Sequence, residues 1–318
     1  MADDPKTLVS TDWLAQHLKD PDLRILDASW YLPDAGRDPK AEYDAAHIPG
    51  ARFFDIDDIS DARSDLPHMA PPIEKFMSRL RAMGVGDGHQ VVVYDGAGLM
   101  SAARVWWLFR LMGQENVAVL DGGLPKWQAE GRETEDMPPV PRDRHMTVRF
   151  QNQLVRDVTQ VAHASKLGDP QIVDARAAAR FRGDAPEPRE GLRAGHTPGA
   201  RNVPFTELLN DDKTMKTPEQ TRAIFEAAGV DLAKPVITSC GSGITAAVLA
   251  LAQGDVSADR MAVEALAISG IVLVFGLLVT VLNARAVVAP LVSVRAALGR
   301  VQDGDLDQRV PVYDATEL

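Results

Sequence analysis

The 318-residue chain has a single cysteine. No intrachain disulfide can form, and a thiolate cage around zinc or an iron–sulfur cluster is equally excluded. The lone thiol is therefore either a small buried apolar group or a reactive one. An excess of basic charge is also missing: 34 Lys and Arg stand against 45 Asp and Glu, for a net charge of −11 with both signs intermixed. Phosphate binding needs clustered cations, so no nucleic-acid partner is expected. Met1 to Ser10 is acidic and polar, without the basic start and apolar core of an export signal or the arginines of a transit peptide. The body of the chain is therefore expected in the cytoplasm. Nothing in the sequence calls for a metal or a cofactor.

What the chain does contain is a repeat, offset by about 147 residues. Leu23-Arg-Ile-Leu-Asp-Ala28 matches Pro170-Gln-Ile-Val-Asp-Ala175, each a short strand ending in Asp. Ala46-His-Ile-Pro-Gly-Ala-Arg52 matches Gly195-His-Thr-Pro-Gly-Ala-Arg201. Leu80-Arg-Ala-Met-Gly-Val85 matches Phe225-Glu-Ala-Ala-Gly-Val230, a helix end capped by glycine. Val91-Val-Val-Tyr-Asp95 matches Val236-Ile-Thr-Ser-Cys240, a buried strand entering a Gly-rich turn.

Strands alternating with amphipathic helices predict an α/β fold, with a parallel sheet in each copy. Ligands of such sheets sit beyond the carboxyl ends of the strands. There the first copy presents Asp95 and the second Cys240, which assigns chemistry to the second copy and a wall of the cleft to the first. Pro138-Pro-Val-Pro141 begins the linker. The first copy continues with a helix at 101–112, a strand at 116–120 and the turn at Asp121. The second starts its helix at Thr245 and then loses the pattern, so its sheet is expected to be incomplete. The expected domains are 1–140, non-catalytic, and 150–253, catalytic.

In Ser239-Cys-Gly-Ser-Gly-Ile-Thr-Ala246, two glycines let the backbone curl so that amide hydrogens face inward. The helix that follows adds its positive end. Both features favour anionic sulfur at Cys240.

Cys240-Gly241-Ser242-Gly243-Ile244-Thr245 resembles the active-site loop of the 3-mercaptopyruvate sulfurtransferases, within the rhodanese superfamily. The similarity covers residues from about 5 to 252, including Asp121-Gly-Gly-Leu-Pro-Lys-Trp127. It implies two rhodanese-like α/β domains and a cycle in which Cys240 takes sulfur from 3-mercaptopyruvate, releasing pyruvate. The resulting persulfide would pass its sulfur to a thiol acceptor such as thioredoxin, or to cyanide. Neutral Gly241 and Ser242 stand where thiosulfate enzymes usually carry cations, which favours mercaptopyruvate over dianionic thiosulfate as donor. Phe53-Phe-Asp-Ile-Asp57 and Pro67-His68-Met69 resemble segments that supply a relay, here Asp57, His68 and Ser242, for the proton the departing enolate needs. Arg180 and Arg189 match substrate-binding arginines, whose planar forks suit a carboxylate. Arg182 and Arg193 read as solvated. His47 and His196, one in each copy, read as turn-stabilising, and Trp106-Trp107 as core.

Ala265 to Ala284 is a run of twenty residues without a charge. At ~1.5 Å per helical residue it spans roughly 30 Å, a bilayer core. A single transmembrane helix over 261–284 is expected, with membrane attachment through it. Leu291, Val294, Leu298 and Val301 follow at heptad spacing. Together with Gly304-Asp-Leu306 and Val310-Pro-Val312 they resemble part of a HAMP linker, over 285–318. Arg285, Arg295 and Arg300 follow the span, which would place the tail inside and the body outside. That conflicts with chemistry needing reduced thiols, and the tail reads as a join of unrelated coding segments. A membrane signalling protein with a rhodanese-like sensing module, and a thiosulfate sulfurtransferase, remain alternative readings.

Overall fold

The computed structural model describes residues 3–188 and 192–254. Arg189, the expected span at 261–284 and the HAMP-like segment at 285–318 lie outside the described residues. Among the described residues, no helix is long and apolar enough to cross a membrane.

The first copy builds β1 (Leu8–Val9), α1 (Thr11–His17), β2 (Leu23–Asp27), α2 (Pro39–Ala45), β3 (Ala51–Phe53), α3 (Ile73–Ala82), β4 (Gln90–Tyr94), α4 (Ala102–Leu111), β5 (Val117–Leu120) and α5 (Gly123–Ala129). Its five strands pair in the order β1-β5-β4-β2-β3, and every pair is parallel. Side chains alternate across a strand, and both faces of this sheet are covered. Val91 and Val93 enter one apolar cluster, Val92 and Tyr94 the other. That explains why β4 reads as an unbroken apolar run.

The second copy builds α6 (Val158–Leu167), β6 (Gln171–Asp174), α7 (Ala178–Arg182), β7 (Arg201–Asn202), α8 (Pro218–Ala227) and β8 (Val236–Ser239), followed by helical residues 246–254. Asp157 with Gln160 and Thr217 with Gln220 form capping boxes that start α6 and α8. The glycine-capped helix ends expected from the repeat appear at Gly84 and Gly229, with φ of 74° and 76°. Past the linker prolines the chain folds back on the first copy and buries Met146.

Among the described residues the second sheet has three parallel strands, in the order β7-β6-β8. β4 is paired on both sides, whereas β8 pairs with β6 alone and its residues are half-exposed. A cleft of about 840 Å³ runs along this edge between Val236, Ala247, Trp107 and Leu154. The two copies nevertheless share a core. Val173, Phe225, Ile244 and Val248 join the same apolar cluster as Val93 and Phe109. Asp121 accepts a hydrogen bond from the Met215 amide at 2.7 Å, tying the first copy's turn to the second.

Candidate active site

The turn after β4 shows what this backbone geometry can hold. Asp95 folds its carboxylate back into the turn and accepts hydrogen bonds from the amides of Ala97, Gly98, Met100 and Ala102, at 2.8 to 2.9 Å. Four converging N–H groups make an anion cradle, and the side chain of the same turn fills it. After β8 the corresponding residue is Cys240. Its Sγ accepts a hydrogen bond from the Gly243 amide at 3.0 Å, the counterpart of the Gly98 contact. Gly243 has φ of 82°, a left-handed conformation that glycine adopts without strain. Cys240 is half-buried, while Asp95 is sealed. One copy has closed its cradle around a carboxylate and the other offers a thiol.

Two groups of side chains approach this turn. From the first copy, Asp55 accepts from the amides of Asp57 and Asp58 and so shapes the loop that presents Asp57. His68 donates through Nε2 to Asp57 Oδ1 at 2.8 Å, and Trp30 donates to Oδ2 at 3.3 Å while meeting the His68 ring edge-on. His68 holds φ of 55° and its Nδ1 is buried without a partner. Arg104, in α4, donates to the His68 carbonyl oxygen, lies over the Trp107 ring at 4.6 Å and packs against Gly243. A Cβ on Gly243 would stand 2.9 Å from Arg104 Nη1. Burial pushes the Arg104 guanidinium down to about 10, and the Cys240 sulfur opposes that shift.

From the second copy, Arg180 lies over Gly241, with Nη2 3.3 Å from where a Cβ would be. Its partner is Glu187, which also accepts from Arg176 Nη1 at 2.7 Å. Arg176 pairs in turn with Asp174, at the end of β6. Hydrogen bonds from Arg180, reinforced by the nearby Arg176 charge, hold Glu187 below the usual carboxylate range. The first copy has Ser29 in the place of Arg176. There Asp27 is bonded to Ser29, and burial pushes it up to about 6.

The structure thus brings Asp57 to His68 and links His68 through Arg104 to the Gly243 turn. Arg180 lies at the same turn. The Ser242 hydroxyl is half-buried and forms no hydrogen bond with His68. Ile244 is buried, Thr245 is half-buried and precedes the helical residues, and Gly241 is exposed. Sequence reasoning missed Arg104, Trp30, Arg176 and Glu187. A charge between Ala103 and Val105, in the apolar first turns of α4, was the available signal for Arg104. His47 and His196 share a structural part: each ring stacks on the aromatic of the preceding helix, Tyr43 or Phe181, and bonds that residue's carbonyl oxygen. Arg182 pairs with Asp184 at the surface.

Two parallel α/β sheets, one of them followed by a turn whose Gly243 amide meets a thiol, define the class of protein. The rhodanese-like domain model matches residues 10–130 and 157–265, and the HAMP domain model matches residues 282–318. The chain is 45% identical over 245 residues to 3-mercaptopyruvate sulfurtransferase of Escherichia coli, covering 77% of this chain and 87% of that one. It is 43% identical over 265 residues to the mitochondrial thiosulfate/3-mercaptopyruvate sulfurtransferase 1 of Arabidopsis thaliana, covering 77% and 70%. Among solved structures it is similar to SseA of Escherichia coli, a 3-mercaptopyruvate sulfotransferase of rhodanese fold. The TM-score is 0.73 and the identity 42%, over 79% of this chain and 95% of the other. The chain belongs to the rhodanese family, among its sulfurtransferases.

Proposed function

We propose that Cys240 carries sulfur from 3-mercaptopyruvate to a thiol acceptor such as thioredoxin, or to cyanide. The thiolate attacks the donor sulfur, the carbon–sulfur bond breaks, and the electron pair leaves on the pyruvate enolate. A proton delivered through Ser242 and His68, the latter oriented by Asp57, converts the enolate to pyruvate. Cys240 is left as a persulfide, within the loop of Gly241, Gly243, Ile244 and Thr245. Arg180 and Arg189 bind the donor carboxylate. The observation that carries this reading is the Gly243 amide at 3.0 Å from Sγ, in a turn whose first-copy counterpart turns its amides onto the Asp95 side chain. Neutral Gly241 and Ser242 favour mercaptopyruvate, with thiosulfate as the alternative donor.

The division of labour that fits this reading is a non-catalytic domain over 1–140 and a catalytic one over 150–253. The HAMP match at 282–318 favours a second role for the tail, single-pass membrane attachment through 261–284 with the HAMP-like segment at 285–318 beyond it. The cycle is tested by incubating the full chain with mercaptopyruvate or thiosulfate. A mass gain of one sulfur on Cys240, with pyruvate release from the first donor and neither in Cys240→Ser, is expected. Full-length protein that sediments with membranes and needs detergent for release supports the attachment; protein soluble without detergent overturns it.

A further inference from the structure

Arg104 is a buried cation without an acidic partner. It is 7% exposed, and among the described residues no Asp or Glu pairs with it. Its contacts are the carbonyl oxygen of His68, the face of Trp107 and the backbone of Gly243. Burying a guanidinium in this way is costly unless a negative charge stands nearby. The neutral carbonyl and the aromatic ring offset part of that cost. The remaining neighbour able to carry a negative charge is the Cys240 sulfur, which accepts the amide of the same Gly243.

We propose that Arg104 is the counterion of the Cys240 sulfur: a first-domain positioning residue that packs on Gly243, holds the loop closed around Sγ and offsets the charge of the thiolate and of the persulfide. This rests on the sulfur-transfer reading above, and deepens it by adding a first-domain cation beside the relay residues Asp57 and His68. The glycine is required twice at one position. Its left-handed backbone aims the amide at sulfur, and its missing side chain lets the guanidinium approach. Desolvation strengthens the attraction between the two charges, and the stack on Trp107 keeps the fork in place without a competing carboxylate.

Several other charged groups face this loop. Arg180 lies over Gly241 but is neutralised by Glu187, which Arg176 also holds. His68 is engaged with Asp57. Arg110, Glu115 and Arg156 line the cleft beside Gly243, at greater exposure. Arg104 is the one among them that has burial, contact with the loop and no acidic partner together.

The test is the pH–rate profile of Cys240 alkylation by iodoacetamide in the full chain, for wild type, Arg104→Gln and Arg104→Lys, with circular dichroism and thermal unfolding as checks on folding. Gln removes the charge but can still donate to the His68 carbonyl; Lys keeps the charge and loses the fork. The expected result is a profile displaced to alkaline pH by about one unit in the Gln variant, and alkylation at pH 7 slowed about tenfold. The Lys variant should stay near the wild-type curve. Superimposed Gln and wild-type curves overturn the proposal, as does an equal displacement in both variants, which would mark a role in packing alone. Should the Gln variant not fold, the Lys profile decides: on the wild-type curve it supports the proposal, and displaced it overturns it. Wild-type protein that accepts no sulfur from either donor would refute the sulfur-transfer reading instead, while the alkylation profiles still judge Arg104.

Discussion

Glu187 accepts a hydrogen bond from Arg180 Nη2, so the arginine expected to grip the donor carboxylate is already paired with a carboxylate of its own. Glu187 is nearly sealed and binds Arg176 as well, which fixes the plane of the Arg180 fork before any substrate arrives. Preorganisation of this kind lowers the ordering cost of binding an anion. Arg180→Lys retains the charge and loses the planar fork. It is expected to raise KM for mercaptopyruvate about tenfold while kcat changes less than threefold, the signature of lost uniform binding. Steady-state kinetics decide it, and a fall confined to kcat would remove Arg180 from the binding role.

The two loop glycines make different demands. Gly243 has φ of 82° and a Cβ there would meet the buried Arg104 at 2.9 Å, whereas the Cβ of an alanine at 241 would meet the end of the Arg180 side chain at 3.3 Å. Gly243→Ala therefore imposes backbone strain and displaces both the amide on sulfur and the guanidinium behind it. Persulfide formation should slow by more than a hundredfold in Gly243→Ala and by less than tenfold in Gly241→Ala. Stopped-flow mass measurements that gave the reverse order would show that the Gly243 amide does not organise the sulfur.

His68 is held from two sides, by Asp57 at Nε2 and through its carbonyl by Arg104, in a left-handed conformation uncommon outside glycine. A proton relay acts on the departing enolate, not on donor binding. His68→Ala should lower kcat on the order of a hundredfold with little change in KM, and Asp57→Asn should have a smaller effect in the same direction. An unchanged kcat in His68→Ala, with pyruvate still released at the normal rate, would reduce the pair to loop architecture.

Much of this was legible in the sequence because the repeat put the same physics on the page twice. Val91–Asp95 and Val236–Cys240 carry strand, turn and the Asp95-against-Cys240 difference within a few contiguous residues, and local patterns survive without coordinates. Arg180 and the His68 loop were recoverable from resemblance, but their partners were not. Glu187 reaches Arg180 across an irregular segment, and Arg104 meets Gly243 from the other copy, 139 positions away in the numbering. Contacts of that kind depend on how the two copies dock, which no spacing rule encodes. The same holds for the four amides on Asp95: the sequence shows a Gly-rich turn, and the structure closes it on the Asp95 side chain.

Burial of Asp121 also makes stability depend on pH, against the opposing pull of its bond to the second copy. Asp121 accepts the Met215 amide at 2.7 Å, and burial pushes its carboxyl up to about 6. In the unfolded chain a carboxyl of this type titrates near 4, so between about pH 4 and 6 the folded state holds the proton more tightly. This group's contribution to stability is fully present below that window and is lost as pH rises through about 6. Asp121→Asn keeps an oxygen for the Met215 amide and carries no charge at any pH. The difference in unfolding temperature, wild type minus variant, should therefore fall by a few degrees between pH 4 and 7. Asp27, also pushed up to about 6, is present in both proteins and cancels in that difference. Parallel curves of unfolding temperature against pH for the two proteins would mean that the Asp121 carboxyl is as well solvated in the folded chain as in the unfolded one.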